Sequence, residues 1–142
     1  MPHIVVLYTG NLERDADMAT LCRGLADTLV SQRDEVGDAV FPVPGTRVFA
    51  YPSAHHAVAD GGAVGRAAGE SGDYGFVYIN LRMGRGRSDA VKSRAGDALL
   101  ATAKQHFDAL FRAQRIGLTV QVDESPGQVY DGKAGSLRGL FQ

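Results

Sequence analysis

The chain has 142 residues, of which 44% are hydrophobic, and a formal net charge of −1. This length and composition fit one globular domain over residues 1–142, and the near-neutral charge excludes a strong overall attraction to nucleic acid or anionic lipid. A single cysteine, Cys22, excludes an intrachain disulfide. No apolar stretch approaches the roughly 20 residues of a membrane span, and the N-terminus lacks the pattern of a signal peptide, so we expect a cytoplasmic protein.

The first half of the chain predicts two strands joined by a helix. An apolar run over residues 3–8 predicts a buried strand. Apolar side chains then recur at helical spacing, which predicts an amphipathic helix over 14–32. Residues 46–51 (TRVFAY) predict a second strand, which Pro52 should end.

The second half repeats this order after a glycine-rich stretch. The glycines clustered over 61–72 predict a long flexible loop. Residues 74–82 (YGFVYINLR) predict a strand, because they are rich in aromatic and β-branched types. Ser88 is a suitable N-cap for a long helix that reaches about Gln114. Residues 116–122 (IGLTVQV) predict a fourth strand.

The order of these elements predicts an α/β (α+β) fold built from two right-handed βαβ units, at about 2–52 and 73–123. Together they should form a four-stranded mixed sheet with both helices on one face. The tail from Asp123 should pack on a neighbouring copy or on a sheet edge. Because the chain has no third layer to cover the other sheet face, we expect it to form an oligomer.

Pro2 stands directly before the first predicted strand. Removal of Met1 in the cytoplasm would leave a free secondary amine on a rigid element. An ordinary α-amine titrates at roughly 7.7–8.0, and burial or nearby positive charge lowers that value, so such a group can act as a base. The alternative is a structural one, because a proline is also tolerated at the start of a strand.

One further feature of the sequence predicts an anion site. The turn GRGRS at 84–88 lies between a strand and a helix start, where backbone N–H groups and the helix dipole attract anions. The two arginines of this turn can bind a carboxylate or phosphate with two parallel hydrogen bonds. Arg47 enters the second strand, where by itself it indicates no more than a charge at a strand edge. Each feature alone also fits a solvated arginine at a turn or a strand edge. His55 and His56 lack the spacing of a metal site, and no catalytic triad is recognisable.

In combination, several segments resemble the tautomerase superfamily, and within it the 5-carboxymethyl-2-hydroxymuconate isomerases. The resemblance follows the chain in order from end to end. Its segments are MPHIV at 1–5, FPVPGTR at 41–47, DYGFVY at 73–78, GRGRS at 84–88, KQHF at 104–107 and the final GLFQ.

The resemblance implies a tautomerase-like fold, a homotrimer and no metal or other cofactor. From the net charge and the absence of a long apolar stretch we expect no nucleic-acid or membrane partner. The resemblance also implies that Pro2, Arg47 and Arg87 are catalytic and that the two arginines bind the substrate. Arg85 occupies a variable position and receives no role. Two departures from the family pattern bear on substrate preference: the loop around 61–72 is long, and Phe49 stands where a second arginine is expected.

The activity implied is proton transfer between a dienol oxygen and a carbon of a muconate-type di- or tricarboxylate, a reaction of aromatic compound catabolism. Pro2 would act as general base and acid, and the arginines would bind carboxylates and stabilise enolate charge. One alternative is a non-catalytic, tautomerase-like protein that binds a small organic acid or a protein partner. Another is a binder of phosphate ligands at the 84–88 turn.

Overall fold

The computed structural model describes all 142 residues. Its four strands are β1 (His3–Thr9), β2 (Arg47–Ser53), β3 (Gly75–Met83) and β4 (Ile116–Glu124). They form one mixed sheet in the order β2-β1-β3-β4. β1 is parallel to β2 and β3 is parallel to β4, while the central pair β1 and β3 is antiparallel. The predicted pair of βαβ units in a four-stranded mixed sheet is confirmed.

Two long helices cover one face of this sheet. They are α1 (Met18–Val30) and α3 (Asp89–Ala113). Ser88 caps α3, as predicted, by accepting a hydrogen bond from the backbone N–H of Val91 at 3.2 Å. The prediction that the first helix begins at residue 14 is wrong. Asp17 has a left-handed backbone, with φ of 46°, and its carboxylate caps the helix through Thr20, so the helix starts at Met18.

The core lies between the sheet and these helices. Successive side chains of a strand point to opposite faces, so alternate residues of β1 and β3 face α1 and α3. These core side chains are almost fully buried, and the largest contributions come from Ile4, Val6, Ile79, Leu81, Leu21, Leu25, Leu29, Leu99 and Phe107. No helix is both long enough and apolar enough to cross a membrane.

The opposite face of the sheet carries no helix, and we call it the open sheet face. Side chains on this face include His3, Val5, Leu7, Arg47, Phe49, Tyr51, Tyr78, Asn80 and Arg82. Three of its apolar side chains are substantially exposed: Leu7 at 47%, Phe49 at 43% and Tyr51 at 51%. The expectation that one sheet face lacks cover within the chain therefore holds, while assembly into an oligomer stays a prediction.

The glycine-rich connection between β2 and β3 is more ordered than the sequence predicts. It contains a short helix, α2 (Ala63–Ala67). The carboxylate of Asp60 accepts hydrogen bonds from the backbone N–H groups of the three residues 62–64, at 2.9 to 3.1 Å. Gly62 has a φ of 92°, and a Cβ there would lie 2.1 Å from the carbonyl oxygen of Gly72. At this position glycine is therefore required both by the close approach of the backbone and by the left-handed conformation.

Two further predictions concern the end of β2 and the C-terminal tail. β2 continues through Pro52 to Ser53, contrary to the prediction that Pro52 ends it, because an edge strand tolerates proline. In the tail, residues 137–141 form a 3₁₀ turn that packs against residues 43–45 of the same chain. Packing of the tail on a neighbouring copy stays a prediction.

Candidate active site

The sequence-predicted site residues gather at one end of the sheet. His3, which follows Pro2, pairs with Arg47 at the start of β2 and with Arg82 near the end of β3. Because β3 is antiparallel to β1, the turn that follows β3 returns to the end of the sheet where β1 begins. Pro2, Arg47 and the turn that carries Arg87 therefore share this end.

Pro2 is buried at the base of β1, whereas the preceding Met1 is 53% exposed. The Met1 side chain lies against Gly45, where an added Cβ would come within 2.8 Å of the Met1 sulfur. While Met1 is attached, the Pro2 nitrogen is an amide and has no basic lone pair. Removal of Met1 would turn it into a secondary amine and would also uncover the surface beside Gly45.

Two hydrogen bonds hold Arg47 in place. Its Nε donates to Nδ1 of His3 at 3.1 Å, and one terminal nitrogen donates to the carbonyl oxygen of Gly45, also at 3.1 Å. A guanidinium carries five N–H donors. The terminal nitrogens of Arg47 thus keep three donors, enough for a two-point contact with a carboxylate.

Arg87 is held on the helix-covered side of the same end. Its terminal nitrogens donate to the carbonyl oxygens of Gly84 and Val40, each at 3.1 Å, and its guanidinium stacks on the Phe41 ring. Its buried Nε has no hydrogen-bond partner. Burial lowers the pKa of Arg87 from its usual value, and Glu124 opposes that shift.

The two predicted arginines do not line the same cavity of a single chain. Arg87 lines a cavity of about 360 Å³ together with Glu35 and Ser88. A separate cavity of about 670 Å³ is lined by Met1 and Gly45, which are neighbours of Arg47. Within one chain, Arg47 is therefore a neighbour of the cavity beside the N-terminus, whereas Arg87 lines a different cavity.

The C-terminal tail forms one wall of the larger cavity. Gly132, Lys133 and Arg138 face Met1 across it. The pKa of Asp131 is lowered, first by its hydrogen bond with Lys133 and also by the charges of the N-terminal amine and Arg47. A carboxylate of the tail is thus influenced mainly by Lys133, and less by the N-terminal amine and Arg47.

The sequence analysis gave no role to His3 or Arg82. His3 lies between Arg47 and Arg82, and burial, followed by these two charges, lowers its pKa. The Nε of Arg82 donates to Asn80 at 2.7 Å, and Asn80 donates in turn to Asp123 at 2.8 Å. The only sequence signal for His3 was its place beside Pro2, because the contact with Arg47 depends on strand register.

Phe49 occupies the open sheet face two residues beyond Arg47. Its ring meets the His3 ring edge-on, with centroids 5.7 Å apart, and tilts against Tyr51 at 6.5 Å. An aromatic cluster therefore replaces the positive charge that the family pattern leads one to expect there. Because Phe49 carries no charge, Arg47 is the side chain of β2 that can bind a carboxylate.

The remaining candidates do not form a site. No group of three or more histidine, cysteine, aspartate or glutamate side chains is close enough together to hold a metal ion. Cys22 is half-buried, and burial raises its pKa. His55 and His56 are exposed on the loop after β2, and His106 contacts the carbonyl oxygen of Ala16 at 2.6 Å.

Comparison with known proteins points to one family. The model of the 5-carboxymethyl-2-hydroxymuconate isomerase family matches residues 2–141. A 5-carboxymethyl-2-hydroxymuconate Delta-isomerase of Escherichia coli is 28% identical over 124 residues, which cover 87% of this chain and 86% of that protein.

Two solved structures extend the comparison to the fold. A crystal structure of a 5-carboxymethyl-2-hydroxymuconate delta-isomerase is 57% identical, with a TM-score of 0.96 over 100% of this chain and 93% of the other. A 5-carboxymethyl-2-hydroxymuconate isomerase from Deinococcus radiodurans R1 is 29% identical, with a TM-score of 0.79 over 99% of this chain and 94% of the other.

Proposed function

The chain belongs to the 5-carboxymethyl-2-hydroxymuconate isomerase family, and from this premise we propose that it moves a proton within a muconate-type di- or tricarboxylate. The resemblance and the isomerase class predicted from the sequence are confirmed by the family match and by relatives that carry the isomerase name. The observation that carries the proposal is the match over residues 2–141, which includes Pro2, Arg47 and Arg87.

In the proposed reaction Pro2 acts as base and then as acid. After removal of Met1, its neutral amine takes the proton of the dienol hydroxyl. The O–H electrons form the carbonyl bond, the double bonds shift along the chain, and the amine returns the proton to carbon. The product is an isomer of the substrate, so no oxidant or reductant is consumed. The burial of Pro2 and the positive charge of Arg47, which is hydrogen-bonded to the adjacent His3, favour the neutral, basic form of the amine.

Arg47 is proposed to bind a substrate carboxylate and to stabilise the enolate charge that develops. Its guanidinium is fixed by His3 and Gly45 and keeps three N–H groups on its terminal nitrogens. Donors that are fixed before the reaction stabilise developing charge without reorganisation in the transition state.

Arg87 is proposed to bind a second carboxylate from the turn before α3. Two of its N–H groups are used by the carbonyl oxygens of Gly84 and Val40, so the side chain is firmly oriented. Its position at the same end of the sheet as Pro2 supports a role toward a long diacid. Because the cavity that Arg87 lines is separate from the cavity beside the N-terminus, joint action of Arg87 and Arg47 requires a substrate that spans this distance or a contribution from a neighbouring subunit.

The proposal includes a homotrimer, a cytoplasmic location and a place in aromatic compound catabolism. The exposed apolar side chains of the open sheet face support assembly, because water contact with such a surface is unfavourable. A subunit interface over this face would bury Leu7 and Tyr51 and would bring the Arg47 of each chain close to its neighbour.

The proposal is tested with protein whose Met1 has been removed, as verified by intact-mass spectrometry. This protein is mixed with 5-carboxymethyl-2-hydroxymuconate, with 2-hydroxymuconate and with phosphate compounds, and loss of the dienol absorbance is followed. We expect saturable turnover of the hydroxymuconates alone. Binding of these acids without turnover by the Met-free protein would contradict the proposal and favour a binding protein.

A further inference from the structure

The His3 side chain lies between two arginines on the open sheet face. In the sheet register it pairs with Arg47 on β2 and with Arg82 on β3. It is half-buried, and the uncharged ring of Phe49 packs against it edge-on. The charged groups that face the imidazole from the neighbouring strands are therefore both cations.

The contact with Arg47 fixes the state of the imidazole. Nε of Arg47 donates to Nδ1 of His3 at 3.1 Å, and an arginine nitrogen has no lone pair with which to accept. Nδ1 must therefore be unprotonated, and the neutral ring carries its proton on Nε2. Burial, Arg47 and Arg82 lower the pKa of His3 from 6.5, so the ring stays neutral near pH 7. The tail carboxylate Asp131 feels the charge of Arg47, but its pKa is lowered first by its hydrogen bond with Lys133.

The same contact sets the orientation of the Arg47 guanidinium. With Nε bound to His3 and one terminal N–H bound to Gly45, the plane of the group is held at two points. The edge formed by its two terminal nitrogens then remains for a carboxylate. Without the His3 contact, the Arg47 side chain could rotate and this edge would point in several directions. Substrate binding would then have to order the side chain, and that entropic cost would weaken the affinity.

We propose that His3 is a positioning residue, whose neutral imidazole accepts from Nε of Arg47 and thereby aims the free edge of Arg47 at a substrate carboxylate. This inference rests on the proposed function of Arg47. His3 itself does not touch the substrate. Protonation of the imidazole would replace the acceptor with a donor, remove the hydrogen bond and place a third positive charge beside Arg47 and Arg82.

Two variants separate the hydrogen bond from the packing of the ring. His3→Phe keeps an aromatic ring against Phe49 but has no acceptor. His3→Asn places an amide oxygen close to the position of Nδ1 and does not titrate. We expect His3→Phe to raise KM by about tenfold or more while kcat changes less, because a hydrogen bond to a charged group is lost. His3→Asn should keep KM near that of the unaltered protein.

The pH profile gives a readout that a merely structural role would not change. In the unaltered protein, KM should rise as the pH falls below the pKa of His3. In His3→Asn this rise should be absent. Equal KM values for the Phe and Asn variants, or the same acid-side rise in His3→Asn, would overturn the proposal.

NMR of the histidine side chains tests the inference without requiring enzyme turnover. Nitrogen NMR of the histidine side chains should show His3 with unprotonated Nδ1 and with a proton on Nε2. In Arg47→Gln the pKa of His3 should rise, because one of its neighbouring charges is gone. An Nδ1-protonated ring would overturn the inference even if the enzyme is active. The expected NMR result in a protein without turnover would instead locate the failure in the proposed function.

Discussion

The guanidinium carbon of Arg87 lies 4.8 Å from the centroid of the Phe41 ring. Phe41 is 1% exposed, and Arg87 also donates to the carbonyl oxygen of Val40, so the arginine joins the segment before β2 to the turn after β3. Arg87, for which the family resemblance implies a catalytic and substrate-binding role, thus also holds together two segments beside the candidate site.

This dual role predicts a loss of stability when Arg87 is replaced. Arg87→Gln should lower the free energy of unfolding by about 1–3 kcal/mol, because hydrogen bonds from a charged group to two partly buried backbone carbonyls are lost. Chemical denaturation measures the change. The matched control is Arg85→Gln in the same turn, where the exposed side chain makes no hydrogen bond, and its unfolding curve should be unchanged. Equal destabilisation by both substitutions would contradict the role assigned to Arg87.

Replacement of Pro2 tests the proposed base. Pro2→Ala still permits removal of Met1 and leaves a primary amine that is less rigidly held. We expect kcat/KM for 5-carboxymethyl-2-hydroxymuconate to fall by about 100-fold or more, the usual contribution of a positioned acid–base group. The circular dichroism spectrum and oligomeric state should be preserved. Intact mass must show that Met1 is absent from both proteins, since unchanged turnover in a Met-free variant excludes the proline amine as the base.

The open sheet face predicts that assembly depends on its apolar side chains. Leu7→Glu places a charge in the middle of this face, where Leu7 is 47% exposed in the single chain. We expect the oligomer to dissociate at micromolar concentration, because an unpaired charge in an interface is costly to desolvate. Sedimentation velocity measures the outcome. Val36→Glu, at an 82% exposed position between α1 and β2, serves as the control and should leave the sedimentation coefficient unchanged.

The buried Tyr8 predicts a loss of stability at alkaline pH. Burial, followed by its hydrogen bond with Glu13, raises the pKa of Tyr8 from 10.0 to about 12. Because the folded state holds this proton more tightly than the unfolded state, the contribution is complete below pH 10.0 and is lost as the pH rises toward about 12. Urea denaturation at a series of pH values should show this decline in the unaltered protein.

Two phenylalanine variants isolate the contribution of Tyr8. Tyr8→Phe keeps the buried ring and removes the hydroxyl, so its stability should depend less on pH above 10.0. Tyr130→Phe removes the hydroxyl of an 86% exposed side chain and should retain the decline. An identical decline in all three proteins would show that another group is responsible.

Local sequence patterns predicted most of the architecture. The apolar runs of β1 and β3 and the helical spacing of α3 are properties of neighbouring residues, and the Ser88 cap needs only the three residues that follow it. The start of α1 was misplaced because it depends on the left-handed backbone of Asp17. The helix α2 was missed because the Asp60 carboxylate, and not an apolar pattern, organises that loop.

For the site, the sequence by itself determined the residue types and their order: a proline before the first strand, Arg47 entering the second, and Arg87 before the second long helix. The tertiary structure decided what these groups contact. Residues 44 positions apart meet as the pair His3 and Arg47 because strand register is set by packing of the whole sheet. The orientation of Arg87 toward Val40 and Phe41 likewise depends on segments distant along the chain, which no local pattern encodes.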